Sequence, residues 1–191
     1  MYALNENQQA IESRQQIRDA LLTLMRQIPY QEISITQICQ QANVVRQTYY
    51  RNFEFKGDIL AFHLDVLFKQ FFDKYYTGVG MLTQLKSFFG FMYQNREFLL
   101  LASKNDLFFM INRTITENIA KFVSIHEISN VDDPRAERYV TGFIAGTICS
   151  LLSLWAEHGF EESAEWMSGL ASRFLSGLQL SDTMHAQIFG V

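Results

Sequence analysis

Between Val45 and Phe53 the chain sets Arg46, Gln47 and Thr48 side by side and follows them with Tyr49 and Tyr50. The first three side chains can hydrogen-bond the edges of nucleobases. Arginine pairs with the acceptors of guanine, glutamine with the acceptor and donor of adenine, and threonine with several bases. On one helix they would enter a major groove together. A lone arginine or tyrosine is most often plain surface, so the triplet takes its weight from the order of the residues around it.

That order reads as a positioning scaffold. Ser34 with Gln37 fits a capping box, in which two side chains satisfy the free N–H groups at a helix start. Ile35, Ile38 and Ala42 then recur at spacings of three and four, one apolar stripe. Asn43 stands where the chain must turn, and asparagine tolerates the left-handed conformation that ends a helix. Val44 follows as a core plug, and Val45 to Phe53 is the candidate recognition helix. Upstream, Ser13 with Gln16 reads as a second capping box, and Ile17, Leu21, Leu24 and Ile28 form a stripe that Pro29 ends. Three helices sharing one core are the minimum that holds a recognition helix rigid.

On Thr36 and Ile38 in the second helix, Ala42-Asn43-Val44 at the turn, and Thr48-x-Tyr50-x-x-Phe53-x-x-Lys56 beyond it, the sequence resembles the TetR-type transcriptional regulators. The resemblance spans Arg14 to Leu60 and fades beyond, where that family varies widely. It implies a phosphate contact for Thr36 and a groove-facing surface of Arg46, Gln47 and Thr48, with Val45 at its edge. It further implies a thymine-methyl contact for Tyr49 and a backbone contact through the hydroxyl of Tyr50. Lys56 would pair a phosphate at the start of the fourth helix, where free N–H groups also favour an anion. Phe53 would be core. Two residues depart from the family pattern. Asn43 replaces the turn glycine, and Val45 replaces the serine or threonine that precedes the recognition helix. Valine cannot cap, so that helix should start loosely.

Composition fits a compact helical protein: 191 residues, 48% of them hydrophobic, with two prolines. The formal charge is −4, yet Ser13 to Lys56 carries six basic against three acidic residues, a local +3 where phosphates would lie. That surplus is modest, so affinity should depend on dimerisation. Cys39 and Cys149 show no paired spacing and read as small buried side chains in a reducing cytoplasm. The N-terminus lacks the basic and apolar regions of a signal peptide. The uncharged run Gly142 to Ala156 is short for a membrane span and is interrupted by Thr147, Ser150 and Ser153. A soluble, cytoplasmic chain is expected.

Fifteen of the seventeen phenylalanines lie after residue 60. Helical periods run over Lys56 to Phe72, Met81 to Gln94, Arg96 to Ser103, Leu107 to Phe122, Ala136 to Glu157 and Ser163 to Leu178. Breaks fall at Thr77-Gly78, Asn95, Asn105-Asp106, Ser129 to Pro134 and His158-Gly159. Two helices are too apolar for an ordinary surface. Tyr139, Phe143, Ile144, Ile148, Leu151, Leu152 and Trp155 cover more than one face of the first, on which Gly142 and Gly146 leave a smooth patch. Trp166, Met167, Leu170, Phe174 and Leu178 stripe the second. The plain explanation is a bundle core. The sharper one, which we favour, is a twofold four-helix dimer interface including Gly142, Gly146, Leu151, Trp155, Trp166, Leu170 and Phe174. A reader of two half-sites needs a partner, and the resemblance implies dimerisation through the last two long helices.

Phe88, Phe91, Met92, Tyr93, Phe108, Met110 and Phe143 are candidate lining for an effector pocket, although such residues at helical spacing are more often core. His63, His126, His158 and His185 are scattered, with no pair at metal-ligand spacing beside a carboxylate, and His63 reads best as surface. No nucleophile motif, phosphate loop or metal set supports an enzyme, and no cofactor is called for. The expectation is therefore an all-α chain: a helix-turn-helix DNA-binding domain over 1–58 and a helical sensing and dimerisation domain over 59–191. It would bind a palindromic operator as a homodimer, act as a repressor, and release DNA to an apolar or aromatic small molecule that prefers the non-operator conformation. The alternative is a non-catalytic protein-interaction module or coactivator on the same fold. Intact Arg46, Gln47, Tyr50 and Lys56 argue against it.

Overall fold

The computed structural model describes residues 2–76, 81–122 and 134–176, and all regular structure among them is helical. Helix α1 spans Tyr2–Met25, and a 3-10 turn spans Tyr30–Glu32. Helices α2 (Ile35–Gln41), α3 (Arg46–Asn52) and α4 (Lys56–Tyr75) follow. Then come α5 (Met81–Gln94), α6 (Arg96–Lys104), α7 (Phe108–Phe122), α8 (Pro134–Glu157) and α9 (Ala164–Ser176). The breaks expected at Thr77-Gly78 and between Ser129 and Asp133, together with His126, Leu178 and His185, lie outside the described residues.

The start of α1 corrects one expectation. Ser13 is not a cap but an interior residue whose hydroxyl donates to the Gln9 carbonyl at 2.7 Å. The run before it, rich in glutamine, glutamate and alanine, has good helix propensity and no breaker. At the other end the helix gives way after Met25, and Pro29, fixed at φ −56°, leads into the 3-10 turn.

Helices α1, α2 and α3 close on one apolar centre containing Ile17, Leu21, Met25, Ile33, Ile38, Tyr49 and Phe53, all buried. Helix α4 then runs unbroken out of this unit into the bundle. The division expected at residues 58 and 59 therefore falls inside its first turn, with no linker between. In the bundle α9 packs chiefly on α5, α7 on α8 and α4, and α6 on α8. Aromatic rings fill the layers. Phe71 meets Phe88 at 5.4 Å and Phe91 at 5.8 Å, while Trp155 meets Phe89 at 5.9 Å and Phe160 at 4.8 Å. Such ring pairs add specific geometry to the area they bury.

Two helix ends set the sharp turns. After α6, Asp106 is left-handed (φ 55°), and the Leu107 N–H returns to the Ala102 carbonyl at 2.9 Å. After α8, Gly159 and Phe160 are both left-handed, and Phe160 N–H donates to the Trp155 carbonyl at 2.8 Å. By length and composition α8 is apolar enough to cross a membrane. Its Ile144, Ala145, Ile148, Leu151, Leu152 and Trp155 are instead buried within this bundle.

Candidate nucleic-acid interface

The helix-turn-helix is built from local chemistry. At the start of α2 the Gln37 N–H donates to Ser34 Oγ at 3.2 Å and the Ser34 N–H donates to Gln37 Oε1 at 2.8 Å, a complete capping box. Asn43 is left-handed at φ 52°, and the next residue, Val44, donates its N–H to the Cys39 carbonyl at 2.9 Å. Helix α3 then begins at Val45 with no side-chain cap, because valine offers no acceptor.

On α3 the outward face carries Arg46, Gln47, Tyr50 and Arg51, all exposed, with Thr48 half-buried and Val45 open at its lip. The Arg46 guanidinium lies 3.4 Å from the Tyr50 hydroxyl one turn on, so the two polar tips share one edge of the helix. Thr36 is exposed on α2, and a shallow groove between α2 and α3 is lined by Thr36, Gln40, Asn43, Val45 and Arg46. Behind this face the helix is anchored. The Asn52 amide donates to the Thr48 carbonyl at 2.8 Å, and Arg14 of α1 donates to Asn52 Oδ1 at 3.3 Å.

Tyr49 is a correction. Its ring is 0% exposed in the three-helix core and cannot reach a thymine methyl. The neighbouring position is turned away by about 100° on the helix, which is why Tyr50 is outside and Tyr49 inside. The buried hydroxyl has no hydrogen-bond partner among the described residues, and burial, with Asp58 adding, pushes the phenol up to about 12.

Lys56 is a second correction. Its ammonium turns inward and donates to the carbonyls of Tyr30 at 2.7 Å and Ile33 at 2.6 Å, and more loosely to Gln31 at 3.4 Å. It also stands 4.5 Å from the centre of the Tyr30 ring. The phosphate role implied by the resemblance needs this group free, and it is engaged inside the protein. Asp58 has already taken the N–H groups of Glu54 (3.0 Å) and Phe55 (2.7 Å) at the same helix start. A carboxylate there repels a phosphate.

Phe88, Phe91 and Met92 are buried core, Tyr93 leans on Trp155 and Phe160, Phe108 is half-buried, and Met110 and Phe143 are exposed. Among the residues expected at a dimer interface, Leu151 and Trp155 are consumed by the subunit's own core, and the Trp155 indole donates to the Glu162 carbonyl at 3.0 Å. Gly142, Trp166 and Phe174 are exposed, with Gly146 and Leu170 half-buried. With Tyr139, Phe143 and Leu154 they leave an apolar stripe at helical spacing on each of α8 and α9.

Burial pushes both thiols up, Cys149 to about 11, so neither is a reactive thiolate at neutral pH. His63 is no surface residue. Its ring packs 4.5 Å from that of Phe98, its Nδ1 is enclosed without a partner among the described residues, and burial, reinforced by Arg18, pulls it down to about 4. Among the described residues no group of three or more His, Cys, Asp or Glu comes together to hold a metal ion. Sequence reasoning passed over Asn105, visible only as a helix break. It is buried and binds the Tyr30 N–H 75 positions away.

No protein-family profile matches the chain, and no curated protein matches it in sequence. Among solved structures it is similar to one described as dihydroxyacetone kinase operon activator DhaS. The TM-score is 0.56 at 19% identity, over 86% of this chain and 94% of that one. The likeness shows the fold alone, an all-helical arrangement.

Proposed function

We propose that the protein is a DNA-binding transcription regulator that reads a palindromic operator as a homodimer. The observation that carries this reading is the outward face of α3, where Arg46, Gln47 and Tyr50 are exposed while Tyr49 and Phe53 anchor the helix from behind. A short helix with base-reading donors at its start, held rigidly by two others, is the physical requirement for direct readout in the major groove. The fold shared with an operon activator agrees with it. We assign the phosphate contacts to Thr36 and Tyr50.

Two half-sites need two copies. The stripes through Tyr139, Gly142, Phe143 and Leu154 on α8, and through Trp166 and Phe174 on α9, are the surfaces we assign to the partner subunit. The effector in this reading is an apolar or planar molecule that parts the rings of Phe71, Phe88 and Phe91 and binds the non-operator conformation more tightly.

The test is a fluorescence-anisotropy titration with the DNA flanking this protein's gene, at two salt concentrations, beside an Arg46→Ala, Tyr50→Ala double variant. Tight, salt-sensitive binding lost in the variant is expected. A folded dimer that binds neither this DNA nor any selected from a random pool would overturn the reading in favour of a protein-interaction module. We take repression as the sign, so deletion should raise transcription of the adjoining gene; a fall would make the protein an activator.

A further inference from the structure

The 3-10 turn Tyr30–Glu32 lies just ahead of α2 and is held from two sides. On its carbonyl side stands the Lys56 ammonium, within 2.7 Å of Tyr30 O and 2.6 Å of Ile33 O. On its amide side stands Asn105, whose Oδ1 accepts the Tyr30 N–H at 2.6 Å. The backbone carbonyl of Asn105 also accepts from the Gln31 side chain at 3.4 Å. Lys56 is the first residue of α4, and Asn105 closes α6. The Asn105 amide is itself fixed, because its Nδ2 donates to the Leu101 carbonyl at 2.8 Å.

We propose that Lys56 and Asn105 are positioning residues that grip this turn from opposite sides and so set the angle of the helix-turn-helix unit on α4 and α6. The proposal rests on the DNA-binding reading, since its consequence appears at the recognition helix. Three physical points support it. Asn105 is 5% exposed, and a hydrogen bond out of water is costly to leave unmade. The Lys56 charge has its donors matched to main-chain carbonyls, a stronger pairing than a neutral one. A further tie between α6 and the reader, Arg26 to Glu97 at 2.7 Å, is solvent-exposed and holds little by comparison. A shift of the α6 end relative to α4 must therefore break the Tyr30–Asn105 bond or drag the turn, and α2 behind it, along.

The experiment uses the full chain with Lys56→Met, which keeps the stem, Asn105→Leu, which keeps most of the volume, and the double variant. Hydrogen exchange should speed up in each single variant across residues 30–33 and also through α2 and α3, by about tenfold, the factor expected for one lost bond of this class. The double variant should go little further, because both residues act through one turn. DNA affinity should fall several-fold in each, less than multiplicatively in the double, with the salt slope unchanged. Faster exchange confined to the turn, or losses that multiply, overturns the proposal. So does a Lys56→Met slope shallower by about 0.9, which would mean a phosphate contact. Should Asn105→Leu fail to fold by circular dichroism, Lys56→Met decides by its exchange pattern and slope. A parent chain that binds no DNA yet shows the exchange pattern sinks the DNA reading and leaves the clasp standing.

Discussion

Replacing Tyr49 by phenylalanine removes one oxygen from the centre of the three-helix unit. The ring is 0% exposed, and its hydroxyl has no hydrogen-bond partner among the described residues. A buried polar group in that state costs about 1–3 kcal/mol. Phenylalanine keeps the ring contacts with Tyr50 (5.3 Å) and Phe53 (6.3 Å) and forgoes only the dispersion around one atom, a few tenths of a kcal/mol. The balance favours Tyr49→Phe by about 1 kcal/mol, or roughly 2–4 °C in Tm for a chain of this size. Linkage adds a second signature. Burial first, then Asp58, holds the folded phenol at about 12 against an ordinary 10.0. As pH rises the unfolded chain gives up this proton first, so stability present below pH 10 is lost between about 10 and 12, a loss the variant lacks. Urea unfolding at fixed protomer concentration, at neutral and at alkaline pH, reads both effects. The DNA titration should show parent and variant alike. A variant less stable by about 1 kcal/mol would refute the unpartnered hydroxyl. A tenfold loss of affinity at intact stability would return Tyr49 to the DNA surface.

Arg46→Ala should cost about 1–3 kcal/mol of binding and relax preference at one base position, checked by titration against a set of single-base operator variants. Preference left intact would remove Arg46 from the base readers. Trp166→Arg with Phe174→Glu should yield a folded monomer by analytical ultracentrifugation, whereas Trp155→Ala should lower subunit stability by about 3–5 kcal/mol. A dimer that survives the surface changes would place the interface elsewhere. His63 is pulled to about 4 from 6.5, so its contribution to stability is present above pH 6.5 and is lost as pH falls toward 4. His63→Leu should flatten that acid limb of an unfolding-versus-pH series, and an unchanged limb would contradict the buried, neutral ring.

What the sequence determined by itself was whatever depends on residues within a turn of one another. The Ser34–Gln37 box, the left-handed Asn43, the uncapped start at Val45 and the span Met81–Gln94 all appear where the pattern put them. Capping, turn conformation and apolar period are satisfied by near neighbours, so they are legible in a string. The start of α1 is not legible in the same way, because Ser13 can serve as a cap or as an interior back-bond, and only the continuing helix chooses between them. The tertiary structure decided which way each functional side chain faces. Tyr49 and Tyr50 are the same residue type in adjacent positions, yet the core claims one and leaves the other to solvent. Leu151 and Trp155 could serve either an interface or a core, and packing within the subunit takes them. Lys56 has the type and place of a phosphate ligand. Its direction is fixed by carbonyls from Tyr30 to Ile33, on a turn that Asn105 holds from the far side. A charge turns to the acceptors that surround it in space, and those acceptors come from positions that spacing along the chain does not connect.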